Sequence, residues 1–456
     1  MNIAIVGGGW AGMAAAVAAA GAGADVTVFE ATRMLGGRAR ALSAERPDGT
    51  PLTLDNGQHI LIGAYTESLS LMQRVGLDPE HLLLGLPLAM PYPDGLGLQT
   101  PGWAARWPAP LDAVAAIATA RGWRWSERFA LVRASLGWQR SGFACDPSLT
   151  VGALCQSLPG RVMDELIEPL CVSALNLPAA AASAQVFLRV MRDALFGRGF
   201  GRWGASSLLL PRDDLGALFP EAAARWLART HGTHARVRLA ARVHSISARP
   251  PGWRLAGDGW QEDFDRVIWA TAASPAAQAM NAAAPVALDA GDTALAQALS
   301  GWAHTTASLA FTAITTVYAW APGVRLRAPM LALRAQPDPL SAPAQFAFDR
   351  GQLRPDDPSM QGVLAFVVSA SEGEREALQA RVLRQAADQL GLSDLRPIQT
   401  VVDKRATFAC TPGLVRPAAQ IAPGLWAAGD FVDGPYPATL EGAVRSGLAA
   451  AQAASS

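Results

Sequence analysis

Residues 3–12 read Ile-Ala-Ile-Val-Gly-Gly-Gly-Trp-Ala-Gly. The first four form a short apolar run of the kind found in buried parallel strands. The rest fits Gly-x-Gly-x-x-Gly, with glycines at 7, 9 and 12. Ala14–Ala20 then reads as an alanine-rich helix, closed by Gly21-Ala22-Gly23, and a second strand at Asp25–Phe29 ends in Glu30. Each part has a physical task. Gly7 permits a tight turn, Gly9 lets backbone approach a pyrophosphate, and Gly12 lets the helix pack closely. The helix N-terminus offers free N–H groups to phosphate oxygens. The Glu30 carboxylate can accept hydrogen bonds from ribose hydroxyls and repels a 2′-phosphate. An adenine dinucleotide is expected here, with FAD and NAD both open from this segment alone.

Composition narrows the classes. At 456 residues the chain suits two domains. It is 50% hydrophobic and 17% charged, against about 25% in ordinary proteins, which excludes global disorder. Lys+Arg and Asp+Glu balance at 38 each, so no basic excess drives nucleic-acid binding. Cys145, Cys155, Cys171 and Cys410 form no CxxC pair, so neither a metal site nor a redox dithiol is expected. Met1-Asn2 runs into the first strand without a basic leader, and no segment reads as a transmembrane helix. The uncharged stretch from Thr293 to Val324 turns β-branched around Ile314–Tyr318 and reads there as a strand. A cytoplasmic protein with at most peripheral membrane contact, on the inner face, is expected.

Residues 424–447 supply a second signal. Leu425–Ala428 reads as a strand ending in Gly429-Asp430, followed by a turn and a helix from near Thr439, with Glu441 in its first turn. A carboxylate at a strand end can hold ribityl or phosphate-linked hydroxyls, and a helix N-terminus can stabilise negative charge on a flavin. After Glu30 come Leu35-Gly36-Gly37-Arg38 and Asp55-Asn56-Gly57-Gln58-His59. Together these motifs resemble the amine-oxidase and carotenoid-desaturase flavoproteins. That resemblance implies FAD as cofactor, Gly37 and Arg38 beside its pyrophosphate, the Asp55–His59 loop beside the flavin ring, and Val243 against the adenine. The fold class expected is α/β, an α+β two-domain flavoprotein: a Rossmann-like FAD-binding domain with an inserted helix-rich substrate domain. Residues 1–70, 205–290 and 396–456 are assigned to the former, and 71–204 and 291–395 to the latter.

The inserted part is greasy. Trp103, Trp107, Trp123, Trp125 and Trp138 interleave with Arg121, Arg124, Arg128 and Arg133. This pattern fits either a surface lying on anionic lipid or a helical core with solvated arginines. The stretches Glu168–Asn176, Ala184–Arg189, Leu208–Arg212 and Lys404–Phe408 are similar to those of the hydroxysqualene dehydroxylase branch. The similarity implies reductive removal of hydroxyl from a C30 isoprenoid alcohol. The expected polar groups for catalysis are His59, Gln58 and Tyr436. With no second dinucleotide fingerprint evident, electrons come from NAD(P)H or a reductase. An oxidative desaturase or amine oxidase shares the same cofactor motifs. A non-catalytic isoprenoid-binding relative is a third reading, disfavoured by the intact glycines and acids.

Overall fold

The computed structural model describes residues 1–104, 107, 110–334 and 341–456. The first strand, Asn2–Val6, lies inside a six-stranded sheet. The order across it is Ala235–Arg238, Asp25–Phe29, Asn2–Val6, Arg266–Trp269, Leu425–Ala427 and Gln420–Ala422. All neighbours are parallel except the last pair. Ile5 pairs with Val28 on one side and Ile268 on the other. Ile3 through Val6 are buried, so the strand is covered on both faces and its sequence is a continuous apolar run.

The helix Trp10–Gly21 packs on this sheet and against the C-terminal helix Leu440–Ser455. A side chain on Gly447 would stand 2.1 Å from the Ala11 carbonyl oxygen, so the two backbones nearly touch. Between Leu215 and His231 the chain forms two helices rather than one. Leu215–Leu218 ends before Phe219, and Pro220 starts a second helix to His231. Proline is suited to a first turn but disfavours helical geometry in the residue before it. A three-stranded antiparallel meander, Val243–Arg249, Gly252–Gly257 and Trp260–Phe264, precedes the Arg266 strand.

A second, five-stranded antiparallel sheet runs Met330–Ala332, Phe346–Asp349, Val363–Ser369, Phe311–Trp320 and Arg396–Phe408. Residues 396–408, grouped by the sequence with the cofactor segments, therefore pair in this other sheet. Side chains alternate along Phe311–Trp320. Val317 and Ala319 join a core with Leu378 and Val382 of the helix Arg375–Leu390. Tyr318 and Trp320 join the larger core that also holds Trp138, Phe187 and Leu188 from the inserted helices.

The five clustered tryptophans divide. Trp123 and Trp138 are buried, whereas Trp103, Trp107 and Trp125 are exposed. Among the described residues no helix is long and apolar enough to cross a membrane.

Gly447→Ala should lower stability by about 1–3 kcal/mol, because overpacking here pushes backbone against backbone. A thermal melt of the variant checks this, and an unchanged midpoint would show that the two helices can separate at little cost.

Candidate active site

The glycine loop is built by close approach. Gly7 has a φ of +116°, and a side chain there would lie 2.6 Å from the Ala270 carbonyl oxygen. A side chain on Gly12 would lie 1.9 Å from the Gly7 carbonyl oxygen. Gly9 faces a second glycine turn: a Cβ there would sit 3.8 Å from the Gly37 Cα. The Gly36 N–H donates to the Gly8 carbonyl at 2.9 Å, so the two loops lie side by side. The helix Trp10–Gly21 has no side-chain cap and no acid in its first turn. Its first N–H groups are therefore disposed to receive an anion. Glu30 is buried and accepts N–H groups from Gly8 and Thr32, each at 2.8 Å. An ionised carboxylate has about four acceptor positions, so two remain for hydroxyl donors. This donor set, and a cradle that a Cβ on Gly9 would fill, fit the phosphate and ribose of a dinucleotide. Ala240 and Ala241 donate to the Thr32 and Glu30 carbonyls, which brings the segment leading to Val243 alongside Glu30.

Arg38 joins the two ends of the chain. Its Nη2 donates to Oδ1 of buried Asp430 and its Nη1 to the Ala406 carbonyl, each at 2.5 Å. The Asp430 charge raises the guanidinium above its already high ordinary pKa, so this cation is permanent. Gly429 donates its N–H to Ser446 Oγ at 3.1 Å. Thr439 caps the C-terminal helix: its Oγ1 accepts the Gly442 N–H at 2.9 Å and donates to the Tyr436 carbonyl at 2.7 Å. Tyr436 and Ala438 both hold φ at +59°, a strained conformation outside glycine. Glu441, fully buried, accepts from the Glu67 and Ser68 N–H groups and ties this helix to the start of Thr66–Arg74.

The loop after Asp55 is held from beneath. Asn56 Nδ2 donates to the Arg38 carbonyl at 3.2 Å. Gln58 donates its N–H to Thr316 Oγ1 at 3.4 Å and its Nε2 to the His59 carbonyl at 3.2 Å. Arg350, which is 1% exposed, donates Nη1 to Gln58 Oε1 at 3.1 Å and lies 3.9 Å from an Asp55 oxygen. The Tyr318 hydroxyl donates to the Asp55 carbonyl at 3.0 Å. Thr316 and Tyr318 are two apart on one strand, so both point at this loop. Gln58 thus has both ends of its amide engaged in fixing the loop. His59 is half-buried, with Nδ1 2.8 Å from the Gly57 carbonyl. A carbonyl only accepts, so Nδ1 carries the proton and Nε2 keeps its lone pair. Burial, aided by the Arg38 charge, holds the imidazole below its ordinary pKa.

Tyr436 stands elsewhere. Its ring meets Tyr65 edge-on at 6.0 Å and lies under Arg445 at 5.0 Å. Burial, with Asp193 beside it, pushes its hydroxyl up to about 12. Among the described residues no hydrogen bond or ring contact joins it to Gln58 or His59. Burial also pushes the Cys410 thiol up to about 12, leaving a neutral, unreactive group.

Sequence reasoning did not single out Arg350 or Thr316, whose partners lie 292 and 258 positions away. The role of Asn176 was equally hidden. It is buried with φ of +52°, and its Nδ2 donates to Thr312 and Thr407 hydroxyls at 2.8 and 3.0 Å. Two of the quoted stretches, Glu168–Asn176 and Lys404–Phe408, therefore meet in space.

The family described as flavin containing amine oxidoreductase matches residues 10–455. The chain belongs to this family. It is accordingly an FAD-dependent oxidoreductase. A hydroxysqualene dehydroxylase of Sinorhizobium fredii is 28% identical, over 99% of this chain and 98% of that protein. One of Rhodopseudomonas palustris is 26% identical over 98% and 96%. The crystal structure of a putative protoporphyrinogen oxidase from Exiguobacterium sp. 255-15 superposes with a TM-score of 0.65 at 18% identity, covering 100% of this chain and 98% of that one. That likeness is one of fold.

Arg38→Ala should weaken FAD binding roughly ten- to a hundredfold, the loss of one or two charge-assisted hydrogen bonds. Flavin absorbance after dilution measures it. A second test uses Asp55, whose burial lifts its pKa from 3.8 to about 6 against the opposing pull of Arg350. The folded state holds this proton more tightly than the unfolded chain. Its stabilising contribution is complete below pH 3.8 and is lost as pH climbs through about 6. Arg350→Met should move that loss to higher pH in melting profiles; an unmoved profile would separate Arg350 from Asp55.

Proposed function

We propose that this enzyme reductively removes the hydroxyl of a C30 allylic alcohol, hydroxysqualene, to give squalene. The observation that carries the reading is likeness along essentially the whole chain to two proteins named hydroxysqualene dehydroxylase. The inserted half supports it. Leu84, Leu86, Leu88, Met163, Val190 and Met191 are half-buried against its core, apolar side chains of a kind suited to a hydrocarbon.

The chemistry replaces C–OH by C–H. Hydroxide leaves poorly, so its oxygen must gain a proton. Water then departs, an allylic cation remains, and hydride closes it. FAD, held by Gly7, Gly9, Gly12, Glu30, Gly37, Arg38, Val243, Gly429, Asp430 and Thr439, supplies that hydride when bound and reduced. NAD(P)H or a reductase would supply the electrons. The residues of this chain orient and protonate. His59 is the proposed donor: Gly57 occupies Nδ1, so the proton that reaches the substrate oxygen is one taken up at Nε2 when the ring is an imidazolium. Gln58 and Arg350 position it by fixing the loop. We assign residues 1–70, 205–290 and 396–456 to the cofactor half, with 396–408 reaching across to the second sheet. The substrate is a membrane lipid, so the enzyme works at a bilayer surface.

The test is product analysis. Anaerobic single turnover of the reduced enzyme with hydroxysqualene should yield squalene and oxidised flavin. Inertness, with reduction of the oxidised enzyme by phytoene or an amine, would favour the oxidative reading. A colourless protein that FAD cannot reconstitute would favour a binding role.

His59→Ala should slow that turnover about 10²-fold or more. In the wild type the rate should fall as pH rises, because the His59 pKa lies below its ordinary 6.5 and the protonated fraction shrinks. Loss of this slope in the variant is the signature. A variant with an unchanged rate removes His59 from the chemistry.

A further inference from the structure

The helix Trp125–Arg140 is apolar on two faces. Leu131 and Trp138 point into the large core of the inserted half. The opposite stripe, spaced by three or four residues, is Trp125, Phe129, Arg133, Leu136 and Arg140. Trp125 is 65% exposed and Phe129 67%. The neighbouring helix Leu111–Ala118 repeats the arrangement: Ala113, Ala115 and Ala116 are buried, while Leu111 and Val114 are exposed. Just before it, Trp103 and Trp107 meet edge-on at 4.9 Å with both rings exposed. Arg128 locks the two helices together. Its Nη1 and Nη2 donate to the Ala118 and Ala120 carbonyls at 2.6 and 2.7 Å, and its guanidinium lies 4.7 Å from the Trp125 ring. Half of the exposed large hydrophobic side chains among the described residues fall between 103 and 136, which makes this one patch rather than scattered surface.

The charge on the patch has one sign. Arg121, Arg124, Arg133 and Arg140 are exposed. Of the acids between 111 and 140, Asp112 is buried against Ser206, and Glu127 accepts the Arg124 N–H at 2.6 Å. Exposed tryptophan edged by arginine, with no exposed acid between residues 111 and 140, suits the headgroup layer of an anionic bilayer, where indole rings and guanidinium groups both find partners.

We propose that Leu111–Ala118 and Trp125–Arg140, with Trp103 and Trp107, dock this enzyme onto anionic phospholipid. The inner faces of the same two helices pack into the apolar core of the inserted half. Docking therefore brings the apolar core of the inserted half next to the bilayer. Any role of that core toward substrate rests on the C30 reading above; docking itself does not.

Flotation of the FAD-loaded enzyme separates the two. Vesicles of phosphatidylcholine mixed equally with phosphatidylglycerol should carry it upward, and phosphatidylcholine alone should carry much less. Trp125→Ser with Phe129→Ser should reduce flotation about tenfold or more, with melting temperature and flavin spectrum unchanged. Arg124→Gln with Arg133→Gln should abolish the preference for anionic vesicles and its weakening by salt. Failure of the wild type to float, or equal flotation of the Trp125/Phe129 variant, overturns the proposal. So does a dimer in light scattering that this variant dissolves, without vesicle binding, because the patch would then join two copies. Vesicle binding without dehydroxylation would leave docking intact and remove the substrate reading.

Discussion

The Arg38–Asp430 ion pair is the contact on which the site depends. It fastens a turn near the start of the chain to a strand end near its finish. Between them the backbone comes too close for side chains at Gly7, Gly12, Gly442 and Gly447. A permanent cation, an uncapped helix and a buried carboxylate then converge where a dinucleotide needs them. Salt bridges at partly exposed positions contribute little stability by themselves. The worth of this one lies in registering two distant segments against each other.

The cofactor half was legible because its signals are local. A glycine spacing between a strand and a helix, an acid at a strand end, and a Gly-Asp before a helix each declare themselves within a few residues. The underpinning of the Asp55–His59 loop was not legible. Arg350 follows an apolar strand and looks like any solvated arginine until the fold buries it beside Asp55 and Gln58. Asn176 reads as a helix end, which it is; that its amide also clamps Thr312 and Thr407 depends on strands far along the chain. The tryptophan cluster was left undecided by the sequence for another reason. Trp123 and Trp138 face the core and Trp103, Trp107 and Trp125 face outward, and a helix apolar on both sides has no periodicity from which to choose.

The buried Asp55–Arg350 pair shows how the two halves are coupled. Desolvation of both charges is costly, and their separation of 3.9 Å recovers only part of it. What the pair provides is direction. Arg350 cannot turn away without leaving its charge unpaired, so the Gln58 amide, and with it the loop carrying His59, is fixed by a residue of the opposite sheet.

The sheet order also governs how the chain is made. Asn2–Val6 finds one neighbour almost at once, in Asp25–Phe29, but its other neighbour begins at Arg266 and the next at Leu425. At roughly 5–20 residues per second, a ribosome takes on the order of tens of seconds to deliver them. Throughout that interval an apolar strand edge stands open to solvent. The centre of this sheet is therefore complete only once Arg266–Trp269 and Leu425–Ala427 have both been made.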